Sequence, residues 1–430
     1  MQPKVIILAA GKAERFWPLS DKALFPFLGK SLIEHQIERT RKAGFREVIV
    51  VCNRDNLPII KNFKIKTVLQ KGEGQAAAIL SAKNFIQGPL LIVNANDLFD
   101  PSLFKKVLLV GKGKETEVCL VGYQTTNYFP GGYLVVNKKN EVKKIVEKPS
   151  QGKEPSDLVR IVVDFFRQGE KLVNYLQQEI LYEKALAEMI KNGEVVKAVS
   201  YQKEWGFLKY PWDTLGMMDF FLRTFKKKKI GRNVKISKTA VILGLVMIED
   251  GVKIFENAKI VGPAYIGQGT IIGNNTLIRE SMIGRNCVVG FSTEITRSYL
   301  GDDCWLHSNY LGDSVLDKNV SLGAGAVLAN LRLDEGNIYS CVKGEKIHTR
   351  RTKLGVIVGQ NVRIGVNTSM MPGIKIGENS FIGAGVVLDK DLGEGKFCGF
   401  KKKSLTIRRN RSRIKRGERE EFKKELTVLR

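Results

Sequence analysis

The sequence predicts two successive architectures: an α/β unit with a doubly wound, mostly parallel sheet, and then a parallel β-helix of hexapeptide repeats. Three observations support this. In the first half, continuous apolar runs of strand length alternate with helical patterns. In the second half, an aliphatic residue, often followed by glycine, recurs about every six positions. A lysine run at 226–229 separates the two patterns.

Strands are predicted at 5–8, 48–51 and 90–93, with helices at 32–42 and 74–85 between them. Helices that cross between strands in this way make the strands parallel. Ligands of such sheets bind beyond the carboxyl ends of the strands. We therefore look for functional residues directly after each strand.

The first strand runs into small residues, followed by two cationic ones, Arg15 and Lys22. Small side chains let backbone N–H groups face a phosphate or a base, and the cations add fixed positive charge. A glycine turn that merely leads into a helix is the alternative. The small residues are Ala9, Ala10 and Gly11.

Residues 8–22 resemble the signature of the sugar-1-phosphate nucleotidyltransferases, written L-A-A-G-x-G-T-R followed by P-L and P-K. The chain departs from it at Ala13 in place of glycine, at Glu14 in place of threonine, and at 23–24. The resemblance implies catalytic roles for Arg15 and Lys22. It also implies that the nucleotide is bound by Leu8, Ala9, Ala10, Gly11 and Lys22.

A second segment, 70–79, resembles the family motif Q-x-x-x-G-T-A-x-A-I. The resemblance implies that Gln70, Gly74 and Gln75 read the nucleotide base. Gln75 replaces threonine, and its amide can still donate and accept hydrogen bonds. A glycine loop that caps an alanine-rich helix is the alternative.

The resemblance extends to sugar and metal residues. Asp97 and Asp213 match aspartates that hold Mg²⁺ in the family, although a turn or N-cap role is the alternative for Asp97. Gly132 and the Glu147-Lys148 pair match segments in which the glutamate receives sugar hydroxyls and the lysine meets the sugar phosphate. The family's Asn-x-Gly segment is absent, and Leu-Val-Arg-Ile stands at 158–161. The sugar therefore stays open.

In the β-helix, asparagines are predicted to turn the corners of a triangular prism, where a positive φ is tolerated. A loop at 332–353, rich in Lys and Arg, interrupts the repeat. It is either a clamp on coenzyme A phosphates or a basic trimer contact. The predicted corner residues are Asn274, Asn275, Asn286 and Asn319.

Residues 306–313 resemble the H-L-x-Y-L-G-D segment of bifunctional enzymes that acetylate glucosamine-1-phosphate and then uridylylate the product. The resemblance implies a left-handed β-helix that forms a homotrimer. It makes His307 the general base, an assignment that suits the pKa of imidazole. It also assigns Tyr310, Ala324 and Asn330 to the amino sugar and acetyl-CoA. A surface histidine on a scaffold prism is the alternative.

Composition limits the cellular compartment and the classes of partner that the sequence predicts. The six cysteines lack paired spacing, which favours a reducing cytoplasm, and no apolar run is long enough to span a membrane. The formal net charge is +26. We expect domains at 1–229, 230–395 and 396–430, the last a basic, solvated tail. Contact of that tail with RNA or an anionic membrane is the less favoured interpretation.

Together these observations favour a bifunctional transferase. The first domain would use Mg²⁺ and a nucleoside triphosphate, UTP favoured, to nucleotidylate a sugar-1-phosphate, N-acetylglucosamine-1-phosphate favoured, and would release pyrophosphate. The second would acetylate glucosamine-1-phosphate with acetyl-CoA. One alternative is a monofunctional hexose-1-phosphate enzyme with a scaffold prism. The other is a non-catalytic regulatory protein on the same domains.

Overall fold

A computed structural model of the chain describes residues 2–178, 181–401 and 404–411. The chain divides into two compact units. The first comprises Met1–Phe16 and Asp21–Lys209, and the second comprises Trp17–Ser20 and Tyr210–Arg430. The domain boundaries proposed from sequence stay a prediction.

The first unit is an α/β structure. Its strands are β1 (Lys4–Leu8), β2 (Pro26–Phe27), β3 (Lys30–Ser31), β4 (Val48–Cys52), β5 (Lys66–Leu69), β6 (Leu90–Asn94), β7 (Asp97–Phe99), β8 (Val118–Gln124), β9 (Gly132–Val136), β10 (Val142–Glu147), β11 (Leu158–Phe166), β12 (Val196–Tyr201) and β13 (Trp205–Phe207). Its helices are α1 (Leu32–Lys42), α2 (Leu57–Lys61), α3 (Gly74–Ser81), α4 (Ser102–Gly111), α5 (Gly169–Gln178) and α6 (Tyr182–Lys191), with 3-10 turns at Glu14–Phe16 and Lys83–Phe85.

The main sheet has the strand order β10-β9-β11-β6-β1-β4-β5, and β8 and β12 extend it from β11. Strand β1 pairs in parallel with β4 and β6, because helices provide the crossovers. Strand β11 is antiparallel to β6, β8 and β9. The connections between β9, β10 and β11 contain no helix, and short connections favour antiparallel pairing. The sheet is therefore mixed rather than mostly parallel.

Helices cover both faces of this sheet, as the doubly wound prediction requires. Ile33 and Ile37 of α1 and Phe104 of α4 pack on one face. Ile79 of α3 and Leu186 of α6 pack on the other. Alternate residues of each strand are thus buried on opposite sides, which explains the continuous apolar runs in the sequence.

The second unit begins with α7 (Asp213–Leu222) and continues as a parallel β-helix, confirming the hexapeptide prediction. The strands lie on three faces. The first face contains β14 (Lys229–Ile230), β17 (Val246–Ile248), β20 (Ala264–Ile266), β23 (Met282–Ile283), β26 (Tyr299–Leu300), β29 (Val315–Leu316), β34 (Ile357–Val358) and β37 (Lys375–Ile376). The second contains β15 (Lys235–Ile236), β18 (Lys253–Ile254), β21 (Ile271–Ile272), β24 (Val288–Val289), β27 (Trp305–Leu306), β30 (Ser321–Leu322), β35 (Arg363–Ile364), β38 (Phe381–Ile382), β40 (Lys396–Lys401) and β41 (Ser404–Arg409). The third contains β16 (Val241–Leu243), β19 (Lys259–Val261), β22 (Leu277–Arg279), β25 (Glu294–Thr296), β28 (Tyr310–Gly312), β31 (Val327–Leu328), β36 (Ser369–Met370) and β39 (Val387–Leu388).

Stacked aliphatic side chains form the core of the prism. Ile248 pairs with Ile266 on the next coil, and Ile266 pairs in turn with Ile283. All three are buried, and full burial of such a side chain stabilises a fold by about 1.5–3 kcal/mol. A glycine follows Ile266 because a Cβ on Gly267 would lie 2.5 Å from the carbonyl carbon of Gly284 on the neighbouring coil.

Asparagines turn several corners of the prism. Asn275, Asn286 and Asn319 have φ values of 56°, 56° and 58°, in agreement with the prediction. Asn274 acts through its side chain instead, and its carboxamide donates to the Glu256 carboxylate over 2.6 Å.

The insertion at 332–353 leaves the coil stack intact. It contains a hairpin of β32 (Tyr339–Val342) and β33 (Glu345–His348), while Val315 of β29 pairs directly with Ile357 of β34. The buried Lys375 side chain holds the hairpin through hydrogen bonds from Nζ to Ser340 Oγ (2.9 Å) and to the Cys341 carbonyl. Lys375 also forms an ion pair with Asp391 at 2.6 Å.

Part of the segment expected to be a solvated tail belongs to the prism. Strand β40 pairs in parallel with β38, and Cys398 is buried beside Ile382. Strand β41 then pairs back on β40. The aliphatic repeat thus continues past residue 396. Residues 412–430, the remainder of the predicted basic tail, lie outside the described residues. No helix within the described ranges has both the length and the apolar character needed to cross a bilayer.

Candidate active sites in the two units

The turn after β1 is held by its own backbone. Ala9 donates its N–H to the Val51 carbonyl (2.9 Å), and its carbonyl accepts from Nδ2 of the fully buried Asn56 (2.8 Å). The Ala9 N–H is therefore not directed at a ligand, contrary to our expectation. The N–H groups of Ala10 and Gly11 make no backbone hydrogen bond to any residue that the structure describes. A Cβ on Gly11 would meet no atom within 4 Å, so the space beside this turn is open.

The chain then adopts a strained turn that presents Arg15. Ala13 has φ 51°, in the left-handed region that favours glycine, which is the residue of the family signature at this position. The backbone has therefore kept the conformation although the sequence has lost the glycine. Arg15 and Glu14 follow in the 3-10 turn, and both are exposed.

Asp97 is a buried acidic residue of the first unit with both carboxylate oxygens hydrogen-bonded. Its Oδ1 accepts a hydrogen bond from Trp205 Nε1 (2.9 Å), and its Oδ2 accepts one from Asn94 Nδ2 (2.8 Å). The side chain is buried, and this desolvation raises the pKa of Asp97 to about 6. The hydrogen bonds and the charges of Lys22 and Lys209 act in the opposite direction. Its two donors are neutral, so an additional cation would compensate its charge.

Lys22 and Lys209 form the cationic side of this site. Lys22 Nζ donates to the Lys209 carbonyl over 2.9 Å and lies 5.5 Å from the centre of the Phe16 ring. Lys209 Nζ donates to the Pro130 carbonyl and lies over the Phe129 ring. Both ammonium groups lower the pKa of Asp97 through their charge, so they lie within electrostatic reach of it.

The predicted base-reading segment forms a glycine loop at the start of α3. Gly74 has φ 86°, and Gln70 Nε2 donates to the carbonyls of Gly72 (2.9 Å) and Gly74 (3.2 Å). Gln75 lies in the first helical turn. Lys12 forms a 2.5 Å ion pair with Glu73, which joins this loop to the turn after β1.

The predicted sugar residues come together on neighbouring strands. Gly132 of β9 pairs with Glu147 of β10, and a Cβ on Gly132 would lie 2.3 Å from Glu147 Oε1. The absent side chain is thus what allows the carboxylate to rest on the strand. Partial desolvation raises the pKa of Glu147, and the neighbouring Glu183 adds to this. Lys148 follows with φ 45°, and its side chain is exposed.

A buried ion pair occupies the segment where the family has Asn-x-Gly. Arg160 Nη2 bonds Asp164 Oδ2 at 2.5 Å, and the Tyr182 hydroxyl donates to the same oxygen at 2.8 Å. Arg160 Nε and Asp164 Oδ1 are buried and have no partner among the described residues. The interior of this unit therefore differs chemically from the motif that the family resemblance led us to expect.

Asp213 belongs to the second unit, where it starts α7. Its Oδ2 accepts a hydrogen bond from the backbone N–H of Tyr210 at 2.7 Å. The described residues contain no cluster of three or more His, Cys, Asp or Glu side chains that could together hold a metal ion. The role of Asp213 as a metal ligand stays a prediction.

In the prism, the fold fixes the backbone around His307 and leaves its ring exposed at a corner. His307 N–H donates to Asn309 Oδ1 over 2.7 Å, and its carbonyl accepts from the Thr293 hydroxyl. The buried Asn309 also donates to the carbonyls of Gly323 (2.8 Å) and Ala326 (3.1 Å) on the next coil. Ala324, exposed, lies on that coil between these two anchor points.

Tyr310 and Asn330 meet in a polar cluster beside the third face, and their roles in binding substrate stay a prediction. The Tyr310 hydroxyl donates to Asn330 Oδ1 (3.3 Å), and Asn330 Nδ2 donates to Asp313 Oδ2 (2.5 Å). Arg297 forms two 2.8 Å hydrogen bonds to Asp313. Desolvation raises the pKa of Tyr310, which keeps its hydroxyl protonated and able to donate. A Cβ on Gly312 would lie 2.3 Å from Asn330 Nδ2, so only glycine fits there.

Motif reasoning missed residues that act as partners of the predicted ones. Asn56, Asn94 and Trp205 support the front site, and Asn309 supports the prism site. Each acts through a side-chain hydrogen bond. Asn56 and Trp205 are far along the chain from the groups that they hold, whereas Asn94 and Asn309 are within three residues of theirs. A carboxamide directly after a predicted strand was the one sequence signal available for Asn94.

Three segments of the chain match known protein families. Residues 4–205 match the nucleotidyl transferase family. Residues 245–280 match the bacterial transferase hexapeptide family of six repeats. Residues 355–390 match the hexapeptide repeat of succinyl-transferase.

Curated relatives match over almost their whole length. A bifunctional sugar-1-phosphate nucleotidylyltransferase/acetyltransferase of Sulfurisphaera tokodaii is 34% identical over 92% of this chain and 99% of its own. A protein named bifunctional protein GlmU from Methanococcus maripaludis is 33% identical over 95% of this chain and 99% of its own. One of the same name from Methanocaldococcus jannaschii is 30% identical over 94% of this chain and 99% of its own.

Proposed function

The chain belongs to the family of bifunctional sugar-1-phosphate nucleotidylyltransferases and acetyltransferases, and from that membership we propose its substrates and the roles of its residues. The first unit transfers a nucleotidyl group from UTP to N-acetylglucosamine-1-phosphate. The prism acetylates glucosamine-1-phosphate with acetyl-CoA. The relatives named GlmU and the match to both site motifs support this choice of substrates.

In the first reaction, an oxygen of the sugar phosphate attacks the α-phosphorus of the triphosphate and pyrophosphate leaves. No covalent intermediate with the protein is needed, so the protein contributes positioning and charge. The N–H groups of Ala10 and Gly11 bind phosphate oxygens, with Arg15 and Lys22 supplying positive charge. Gln70 and Gln75 hold the base, while Glu147 receives sugar hydroxyls and Lys148 the sugar phosphate.

Mg²⁺ fits the chemistry of Asp97. This carboxylate is buried, has a raised pKa and has only neutral hydrogen-bond donors, so a hard divalent cation would compensate its charge. Asp97 would hold the ion, and a ligand role for Asp213 rests on the family resemblance alone. When bound, the ion supplies electrostatic stabilisation of the phosphate oxygens. Trp205 and Asn94 keep the carboxylate oriented.

In the second reaction, His307 removes a proton from the amine of the sugar, and the amine nitrogen attacks the thioester carbonyl of acetyl-CoA. The thiolate of coenzyme A leaves and takes up a proton. Tyr310 and Asn330 orient the amino sugar and the acetyl donor, and Ala324 borders the donor. Arg297 is the cation that joins the Tyr310 and Asn330 cluster through Asp313, and we assign it to the sugar phosphate. The homotrimer completes this site with a neighbouring prism.

One experiment tests both halves in the full-length protein. Pyrophosphate release is measured with Mg²⁺ and a panel of nucleoside triphosphates and sugar-1-phosphates. Labelled acetate transfer from acetyl-CoA is measured with glucosamine-1-phosphate and galactosamine-1-phosphate. We expect the highest kcat/KM with UTP plus N-acetylglucosamine-1-phosphate and with glucosamine-1-phosphate. Preference for a neutral hexose-1-phosphate together with no acetyl transfer would instead identify a monofunctional enzyme with a scaffold prism.

A further inference from the structure

A second charged cleft lies in the first unit, at the edge of the sheet where its strands begin. Lys4 opens β1, Val48 opens β4 and Lys66 opens β5, and all three line this cleft. The nucleotide turn begins after Leu8, at the other end of β1, roughly 13 Å away along the strand. The cleft has a volume of about 350 Å³. It is therefore separate from the proposed nucleotide site.

The cleft is strongly cationic. Five basic side chains and a single acidic one line it, giving a local formal charge of +4. They are Lys4, Arg41, Arg46, Lys64, Lys66 and Glu47. Lys4 approaches Glu47 only at 3.9 Å, so this pair neutralises little of the charge. Arg41, Arg46 and Lys64 are exposed and form no ion pair with any residue in the described ranges.

Like charges gathered on one concave surface repel one another, and a bound anion removes that repulsion. Lys64 is held in this cluster by a left-handed backbone with φ 51°, which is rare for a residue other than glycine. These features favour an anionic ligand in the cleft over a solvated surface.

The size and aromatic content of the cleft narrow the ligand class. Phe85 is the single aromatic residue in its wall, and the Lys66 ammonium already covers that ring at 3.9 Å from the ring centre. Proteins that hold single-stranded nucleic acid stack successive bases on exposed aromatic rings along an extended groove. A cleft of about 350 Å³ without a free ring suits a small, highly charged anion instead.

We propose that this cleft binds a compact polyphosphate anion, with Arg41, Arg46 and Lys64 as its principal contacts. Inorganic pyrophosphate, the by-product of nucleotidyl transfer, is a member of this chemical class. The cleft shares no residue with the proposed catalytic machinery, so the inference stands independently of the function proposed above.

Isothermal titration of the full-length protein with inorganic tripolyphosphate tests the proposal. We expect two classes of site. One equivalent of a nucleoside triphosphate, which gains base and ribose contacts only at the nucleotide turn, displaces tripolyphosphate from that turn and leaves it bound in the cleft. The cleft variant Arg41→Gln/Arg46→Gln/Lys64→Gln should weaken the nucleotide-insensitive site by about tenfold to a hundredfold, and added salt should weaken it in the wild type. Nucleotidyl transfer at saturating substrates should remain unchanged.

The matched control removes the same charge elsewhere. Lys105→Gln/Lys106→Gln/Lys112→Gln alters three exposed lysines in and directly after α4, outside the cleft. The proposal is overturned by any of three results: a single nucleotide-sensitive site, an unaffected second site in the cleft variant, or equal weakening by the control variant. Tighter binding of a single-stranded oligonucleotide than of tripolyphosphate, lost in the cleft variant, would also overturn it, in favour of nucleic acid. Absence of the nucleotide-sensitive site alone would count against the proposed function and not against the cleft.

Discussion

The two candidate sites place their reactive side chains in opposite environments. Asp97 of the first unit is 7% exposed and both of its carboxylate oxygens are hydrogen-bonded. In the prism, buried Asn309 fixes the backbone at His307 while the imidazole remains exposed. The first unit therefore orients and desolvates the Asp97 carboxylate with residues of a single chain. The prism fixes only the backbone position of His307. The surroundings of the imidazole are left to be completed by substrate and by the neighbouring prism of the proposed trimer.

The largest expected effect is the loss of nucleotidyl transfer when Asp97 or Lys22 of the first unit is substituted. Asp97→Asn and Lys22→Ala should each lower kcat by about a thousandfold or more, because each removes charge stabilisation of the phosphates. Acetyl transfer by the same variants should keep wild-type rates, which serves as the internal control. Pyrophosphate release at the wild-type rate in either variant would contradict the assignment.

His307→Ala should have the next largest effect, on the other reaction. Loss of a general base typically costs about 10²–10⁴-fold in rate. We expect acetyl transfer to fall in this range while nucleotidyl transfer stays unchanged. The control is His348→Ala, which removes a histidine of the insertion hairpin. An equal loss in both variants would show that the imidazole of His307 has no special role.

Gly132→Ala should act on substrate binding. The added Cβ would lie 2.3 Å from Glu147 Oε1, so the carboxylate must move. We expect the KM for the sugar phosphate to rise by about tenfold to a hundredfold with a smaller change in kcat. Gly393→Ala is the matched control, because its Cβ would come no nearer than 3.9 Å to another group. Equal kinetics for the two variants would contradict the assignment of Glu147 to the sugar site.

The buried carboxylate should also make the stability of the first unit depend on pH. The folded-state pKa of Asp97 is about 6, above the unfolded value of about 3.9, so the native state binds the proton more tightly. The free energy of unfolding should therefore decrease by on the order of 1–3 kcal/mol as the pH rises from about 4 to about 6. In Asp97→Asn, urea unfolding at pH 4 and pH 7.5 should show a smaller difference. An identical difference in the two proteins would exclude Asp97 as the cause.

The smallest expected effect concerns the strained turn. Ala13→Gly removes the left-handed strain at φ 51° but makes the unfolded chain more flexible. These contributions oppose each other, so we expect the protein to gain no more than about 1 kcal/mol of stability. Thermal unfolding measures it, and Ala43→Gly, where φ is −73°, is the control that should lose stability.

The sequence predicted those parts of the fold that local pattern determines. The run at 48–51 and the 32–42 helix appear within a residue of their predicted limits as β4 and α1. The antiparallel course of β11 escaped prediction, because an apolar run does not reveal the direction in which its partners run. The prism continued through Cys398, a small apolar residue that the repeat count had assigned to a basic tail.

Residues that a motif carries in its own sequence could be proposed in advance, and the structure brings two such pairs into contact, Tyr310 with Asn330 and Gly132 with Glu147. Two of the missed residues owe their roles to a group that is far along the chain but adjacent in space. Asn56 is needed because the Ala9 carbonyl lies beside it, and Trp205 because Asp97 does. Neither requirement leaves a spacing rule in the sequence. The ion pair of Arg160 likewise became evident only from the structure, which places Asp164 beside it and the Tyr182 hydroxyl on the same carboxylate.

The pairing of Val315 with Ile357 has a consequence for how this chain can change. The polypeptide leaves the prism after β31 and re-enters it one coil further along at β34. Strands β29 and β34 can therefore pair whatever the length of the chain at the hairpin tip. A foreign peptide spliced between Lys343 and Gly344, at the tip of the hairpin, would project sideways while the coils on either side assemble as before. Insertions at the tip would thus be tolerated, and it is a natural point for grafting a reporter.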